Sequence, residues 1–358
     1  MKIYASNAVS APLILVQLTQ SLCRLKGRSQ TGYSLMGYVK HKGYIFGPVP
    51  SRRLGRSLGV DLVPFKTCTF DCIYCQLGHT TNKTIERREW VPLREVLDEL
   101  RSKLTLKPDY ITLAGSGEPT LYSRIGDLMD EIRLMTDIPV AVITNGSLLW
   151  KDEVRRQLRH ANVVIPSLDA GDEMLFRTIN RPHPAITYEW LLDGLSAFRQ
   201  EFRGKYWLEV FLLDGYTAID GEVRKIAKKA QEIQADLVQL NTCVRPATED
   251  YARPVPWRRL VELADIFTPA AEVVVDYRSG APQSESTSGP TDILQMLQRR
   301  PCTAEDIAAG LRMDPATVRK EIERLLQEGV IEARKVDPKR THYVARDLLC
   351  AHPRKPAK

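Results

Sequence analysis

Three cysteines fall within eight residues, Cys68-Thr-Phe-Asp-Cys72-Ile-Tyr-Cys75, at the spacing C-x3-C-x2-C. Three thiolates this close together suit a metal. They can hold three irons of a four-iron, four-sulfur cluster and leave the fourth iron open to an outside ligand, much as catalytic zinc sites keep one position free. Two blander readings fit the same residues: a structural zinc knuckle, with His79 as fourth ligand, and three cysteines packed as core.

Further polar groups recur downstream. Leu113-Ala-Gly115-Ser116-Gly117-Glu118-Pro-Thr-Leu121 combines glycines, which let backbone approach a ligand closely, with a carboxylate able to accept from an ammonium. A tight turn carrying a solvated glutamate is the alternative. Ile143-Thr-Asn145-Gly146 and Pro166-Ser167-Leu-Asp169 supply hydrogen-bonding groups of the kind a ribose needs, and helix capping would use the same residue types. Asn241-Thr-Cys243-Val-Arg245-Pro246 offers a guanidinium for an anionic cofactor or substrate group, and Cys243 reads as a small packed hydrophobe.

These motifs need a scaffold that brings them to one side. Apolar stretches at 57–63, 110–114, 140–144, 163–168, 207–213, 237–241 and 273–277 read as strands, preceded by an extended lead-in from Tyr44 punctuated by Pro and Gly. Amphipathic segments lie between them, including the helix opened by Pro92 with Leu93, Val96, Leu97, Leu100 and Leu104 on one face, and those at 125–135, 188–202 and 222–233. Repeated βα units predict an α/β fold with a parallel sheet and helices outside, here a partial (β/α)6 barrel over 36–278. Each motif follows a predicted strand, which is the rim where such folds do chemistry.

Residues 279–290 are polar, rich in Gly, Pro and Ser, and lack periodicity, as a linker would. Beyond them, helices at 292–298, 304–311 behind Thr303, and 315–328 behind Asp314 precede two strands at 330–336 and 341–345. That order is a small C-terminal winged helix-turn-helix over 291–346, followed by a disordered tail at 347–358. The wing and tail from Arg334 onward carry eight basic residues against two acidic ones. A phosphate backbone would suit that balance.

The cysteine spacing, with Tyr74 before its last member, resembles the radical S-adenosylmethionine (SAM) superfamily. The resemblance implies a [4Fe-4S] cluster on Cys68, Cys72 and Cys75, with SAM bound by its amino and carboxylate groups to the open iron. Gly115, Ser116, Gly117 and Glu118 resemble the Gly-Gly-Glu motif for the methionine amino group, with a serine inserted. Ser167 and Asp169 match the ribose-contacting position, and Asn145 would line the same cavity. Tyr74 would lie near the adenine, or else shield the cluster. From Ile45 to Pro246, including Phe-Gly-Pro-Val-Pro-Ser-Arg-Arg and Gln-Leu-Asn-Thr-Cys-Val-Arg-Pro, the chain is similar to the wyosine-forming tRNA enzymes. Those enzymes bind a second cluster through cysteines upstream of the triplet, where this chain has only Cys23.

Composition sets the setting. Seven cysteines in 358 residues are too few and too unevenly spaced for a disulfide framework, which points to a reducing, cytoplasmic location. The apolar run at 9–18 is too short to span a membrane, and Leu22 before Cys23 is too large for a lipoprotein-type cleavage site. Residues 1–35 lead into the domain without a helix or strand pattern, which makes them a disordered or mis-assigned extension and Met36 the expected start. Net charge is +7. Three functions follow: a radical SAM enzyme acting on RNA, one modifying a peptide read by the winged helix, and an iron-sulfur redox sensor that binds DNA. The first two need a flavodoxin- or ferredoxin-like electron donor, and none needs a membrane.

Overall fold

The computed structural model describes residues 43–274, 290–337 and 340–346. The expected extension at 1–35, the linker up to residue 289 and the tail at 347–358 lie outside them. The strands of the main sheet and of the C-terminal hairpin are β1 (Ile45–Ser51), β2 (Gly55–Val60), β3 (Tyr110–Leu113), β4 (Val140–Thr144), β5 (Val163–Pro166), β6 (Lys205–Leu212), β7 (Leu237–Thr242), β8 (Glu272–Val273), β9 (Ile331–Asp337) and β10 (Arg340–Ala345). The helices are α1 (Leu93–Lys103), α2 (Ile125–Met135), α3 (Asp152–Leu158), α4 (Glu173–Asn180), α5 (Tyr188–Glu201), α6 (Asp220–Ile233), α7 (Trp257–Ala264), α8 (Pro290–Leu297), α9 (Ala304–Leu311) and α10 (Pro315–Gln327).

Strands β1 to β8 form one sheet whose spatial order follows the chain, parallel from β2 to β8, with helical crossovers between most neighbours. This is the partial barrel that the repeating βα pattern requires. Every residue of β5 is buried, as expected for a parallel strand covered on both faces. On the inside, Leu54 packs with Ala141, Val163 and Ile165, and Arg53 forms an ion pair with Glu209 of β6.

Two elements differ from the sequence reading. The lead-in expected from Tyr44 is a true strand, β1, which turns back and pairs antiparallel with β2 through a register shift between Phe46 and Val49. Its Pro48 and Pro50 are tolerated because an edge strand need not donate on both sides. The first parallel strand stops at Val60, short of the expected 63, and the next residue, Asp61, turns its carboxylate to the loop after β3.

The C-terminal segment forms the expected three helices and hairpin. Thr303 and Asp306 make a reciprocal capping box on α9, and Asp314 caps α10 through Thr317 N. Gly329 takes φ +68° to end that helix run, a conformation that costs glycine little. Ile293, Met296, Leu297, Ile307, Leu311, Val318, Ile322 and Leu325 share one core with Phe46 and Val49 of β1. The module therefore packs directly on the barrel's edge strand. At Gly310 a Cβ would come within 2.4 Å of Pro50 Cδ, so only glycine permits this approach. Among the described residues no helix is long and apolar enough to cross a membrane.

Candidate active site

The cysteine loop leaves the carboxyl end of β2 and is stitched down at several points. Ile73 N donates to Ile179 O at 3.0 Å, Asp71 N to Asn180 O at 3.0 Å, and His183 N to Thr69 O at 2.8 Å. On the other side Thr248 Oγ1 donates to Cys75 O at 2.7 Å, and Glu249 N to Ile73 O at 3.0 Å. Ile73 is buried with Ile179, Leu213 and Cys243. Thr67–Cys68 also pairs in parallel with Asn82–Lys83, and a loop tied there, to α4 and to the segment after β7 holds its thiols in place.

Each thiol faces a donor. Lys66 Nζ lies 3.1 Å from Cys75 Sγ, Asn145 Nδ2 3.6 Å from Cys68 Sγ, and Asn180 Nδ2 3.5 Å from Cys72 Sγ. Lys66 is only 3 % exposed, and burial alone would lower its pKa, yet negative charge on the neighbouring sulfurs, Cys75 above all, would outweigh this and raise it. A buried ammonium needs an anion beside it. Burial also pushes the Cys68 thiol up to about 11, and Cys72 well above its ordinary value, so both stay protonated at neutral pH until a metal displaces the protons. Half-buried thiols with an N–H aimed at each sulfur and a buried cation at one suit an anionic iron-sulfur cluster. Among the described residues no three Cys, His, Asp or Glu side chains converge on a single-ion position. A cluster asks less of them, one cysteine to each of three irons. His79 instead faces Asp71 at 3.5 Å and Glu249 at 3.8 Å.

Loop 115–118 follows β3 and lies against the cysteine loop. Lys66 N donates to Ser116 O at 2.7 Å and Glu118 N to Thr67 O at 3.1 Å. A Cβ at Gly117 would sit 1.8 Å from Thr67 O, and one at Gly115 would sit 2.8 Å from Asp61 Oδ1. Gly117 is required by backbone contact, and Gly115 by the close approach of the Asp61 side chain. Glu118, 2 % exposed, is not a solvated turn residue. Its carboxylate accepts from Thr120 N at 3.0 Å, Thr120 Oγ1 at 2.6 Å, Thr144 Oγ1 at 2.6 Å and Asn145 N at 2.8 Å. Burial raises its pKa, with these bonds pulling the other way. Glu118 thus joins the ends of β3 and β4.

Asn145 bridges the two loops, its Nδ2 donating to Thr69 Oγ1 at 2.7 Å. Asp169 after β5 is buried and accepts from the Tyr74 hydroxyl, from Asn180 Nδ2 at 2.7 Å and from Phe211 N at 3.0 Å. Burial, and then the Asp169 charge, keep Tyr74 protonated to high pH, so its hydroxyl remains a donor. One face of the Tyr74 ring is covered by Phe211, with centroids 4.0 Å apart and planes at 12°. Ser167 extends the sheet by a bridge to Glu209, and its hydroxyl has no partner among the described residues. Cys243 is packed, with its thiol pushed up to about 12 by burial. Thus Tyr74, Gly115, Ser116, Gly117, Glu118, Asn145, Ser167 and Asp169 all reach the rim that carries the thiols.

Sequence reading missed Lys66, Asn180 and Asp61. Lys66 sits two residues before Cys68 at φ 57°, unusual for a lysine, and nothing in its neighbours signals that its chain folds back onto sulfur. Asn180 ends α4 and looks like an ordinary terminating residue, and Asp61 follows β2 inside the stretch read as strand 57–63.

Comparison with known proteins agrees with this geometry. Residues 62–230 match the Radical SAM superfamily, and residues 291–333 match a second family, "Bacterial regulatory protein, arsR family". A protein of Brachyspira hyodysenteriae named GTPase Obg is 39% identical over 292 residues, 80% of this chain. The chain spans 43% of that relative's length. A UPF0026 protein of Methanocaldococcus jannaschii is 37% identical over 226 residues, 62% of this chain and 70% of the relative. Among solved structures, Streptococcus suis SuiB bound to precursor peptide SuiA aligns with TM-score 0.46 and 16% identity, over 74% of this chain and 53% of that one. The chain belongs to the UPF0026 family, within the radical SAM superfamily. Residues 62–230 accordingly place the chain in the radical SAM enzyme class, which uses a [4Fe-4S] cluster and SAM as cofactors.

Proposed function

We propose that this enzyme cleaves SAM reductively and abstracts hydrogen from an RNA substrate. The observation that carries the chemistry is the arrangement of Cys68, Cys72 and Cys75, each sulfur met by its own donor, beside a glycine loop packed on the same backbone. When bound, the cluster and SAM supply an electron and a deoxyadenosyl radical. The chain's own work is to hold and exclude. Gly115, Ser116 and Gly117 present backbone to the methionine end of SAM. Glu118 and Asn145 fix that loop against the cysteines, the Ser167 hydroxyl meets the ribose, and Asp169 orients Tyr74 toward the adenine.

RNA is favoured by the outward face of α10. Thr317, Arg319, Lys320 and Glu323 are exposed there while Val318, Ile322 and Leu325 are buried. Neither Arg319 nor Lys320 forms an ion pair among the described residues. A flavodoxin- or ferredoxin-like donor in the cytoplasm would supply the electron. The test is to incubate reconstituted, reduced protein with SAM and follow 5′-deoxyadenosine, with and without total RNA. Release stimulated by RNA supports the reading. No release from protein with an intact cluster would refute it, and stimulation by peptides alone would replace RNA with a peptide substrate.

A further inference from the structure

Asn180, the last residue of α4, is tied to the cysteine loop by main chain and side chain at once. Its carbonyl oxygen accepts from Asp71 N at 3.0 Å, one residue before Cys72. Its carboxamide nitrogen lies 3.5 Å from Cys72 Sγ, 2.7 Å from Asp169 Oδ2 and 3.4 Å from the Tyr74 hydroxyl. The residue is only 2 % exposed, so little water competes for these bonds and each is strengthened by the low dielectric around it. One amide therefore meets a candidate iron ligand, the residue beside the last cysteine, and the buried carboxylate after β5.

An amide nitrogen carries two hydrogens, and here it has three acceptors. Asp169, the nearest, takes the first. The second goes to Cys72, because 3.5 Å is an ordinary length to an atom as large as sulfur while 3.4 Å is long for the phenol oxygen. Asn180 thus stands between a carboxylate and a sulfur that carries negative charge once metal is bound, giving one hydrogen to each. The other two donors to sulfur are arranged differently. Lys66 acts on Cys75 by charge, and Asn145 gives its better bond to the Thr69 hydroxyl. Hydrogen bonds to the sulfurs and the charge around them are what tune the reduction potential of an iron-sulfur cluster.

We propose that Asn180 is a positioning residue that sets the reduction potential of the bound cluster through Cys72, donating to that sulfur while holding the Asp169 carboxylate away from it. This role rests on Cys72 as an iron ligand. Without the amide the sulfur loses its donor and Asp169 faces it unscreened, and both changes disfavour an added electron. The potential should fall. Exchanging the Asp169 carboxylate for an amide takes a negative charge out of the same neighbourhood, so there the potential should rise. Asp169 is also the acceptor for the Tyr74 hydroxyl, so the same amide holds that ring at the position proposed above for contact with the adenine.

The test uses the full chain, reconstituted anaerobically without SAM, with the potential read by redox titration and electron paramagnetic resonance. Asn180→Leu, of similar size and without a donor, should shift the reduction equilibrium about tenfold toward the oxidised form, the value of one hydrogen bond to a charged group. For one electron that is about 59 mV. Asn180→Asp keeps the shape, removes both hydrogens and adds a charge, and should lower the potential further. Asp169→Asn should raise it. The bond from Asp71 N to the residue 180 carbonyl survives in every variant, so a purely structural role predicts no such opposed shifts. An unchanged potential in Asn180 variants with full iron content would overturn the proposal, as would a shift of the same sign for Asn180→Leu and Asp169→Asn. If the Asn180 variants lose their iron, Asp169→Asn decides alone, and a potential at or below that of wild type overturns the proposal. Full iron content in Cys72→Ala would remove the ligand on which it rests. Opposed shifts in a protein that releases no 5′-deoxyadenosine from SAM would refute the function proposed above and leave the role of Asn180 standing.

Discussion

Arg299, in the connection after α8, forms an ion pair with Asp61 at the end of β2, with side chains only 8% and 5% exposed. The same guanidinium donates to Gly43 O. Asp61 in turn accepts from Ser116 N at 2.9 Å and from the Ser116 hydroxyl. One arginine of the C-terminal module thereby supports the 115–118 loop, which we propose faces the methionine end of SAM. The module is therefore tied structurally to the candidate site as well as being a candidate reader of substrate.

The first prediction concerns that pair. Arg299→Met should destabilise the protein by about 3–5 kcal/mol, because Asp61 is left buried without its partner. Urea denaturation measures this. SAM affinity should fall as well, since the Ser116 backbone loses a fixed acceptor, and Arg299→Lys should restore more of the affinity than of the stability. Unchanged SAM binding in a folded Arg299→Met protein would confine Arg299 to holding the module on the barrel.

The second prediction concerns the thiols. Cys68→Ala, Cys72→Ala and Cys75→Ala should each leave a folded barrel with little bound iron after anaerobic reconstitution. The backbone bonds of the loop run to α4 and to the segment after β7, and they do not pass through sulfur. Iron analysis with far-ultraviolet circular dichroism decides it. Lys66→Met should keep the three ligands yet lower cluster retention, because it removes the buried cation beside Cys75. Normal iron content in any single cysteine variant would remove that residue from the ligand set.

Much of this was legible in sequence. Strands and crossover helices follow from apolar periodicity, and the motifs occur after strands, so their gathering at one rim follows from the topology of a parallel sheet. The caps Thr303 and Asp314 were readable from residue type and position. What escaped depends on long-range contact. β1 carries Gly47, Pro48 and Pro50, which read as loop, and it is a strand because β2 pairs with it on one side and the module covers it. Lys66, Asn180 and Arg299 act through partners 9, 108 and 238 residues away, beyond the reach of any local pattern. Glu118 and Asp169 were found as polar groups at strand ends. Their saturation by internal donors was not visible, because the donors come from other strands.

The third prediction is a pH dependence. Burial raises the folded pKa of Glu118 above its unfolded value, so its contribution to stability is complete below the ordinary glutamate range and is lost as pH rises through the folded value. Glu118→Gln loses hydrogen bonds at every pH but has no such slope. The stability gap between wild type and Glu118→Gln should therefore narrow from acid toward neutral pH in parallel urea titrations. A widening gap would mean that the four donors to the carboxylate outweigh its burial. Glu118→Ala should weaken SAM binding while the cluster spectrum stays intact, because the loop loses its tie to β4.

The last prediction concerns nucleic acid. The C-terminal module shares its core with Phe46 and Val49 of β1, so cutting it out would expose part of that core, and the binding experiment belongs to the full chain. Arg319 and Lys320 lie exposed on α10, and Lys335 is exposed on the hairpin. If they contact phosphates, RNA affinity should fall steeply with salt, and each neutralised contact should lower the log–log slope by about 0.7 for a single strand. Arg319→Gln with Lys320→Gln should therefore reduce the slope by about 1.4. Fold and iron content should stay unchanged, since neither side chain is part of the core. A slope that does not respond to the double change would move RNA off this face, and absence of salt-dependent binding at low ionic strength would leave α10 as a solvated basic surface.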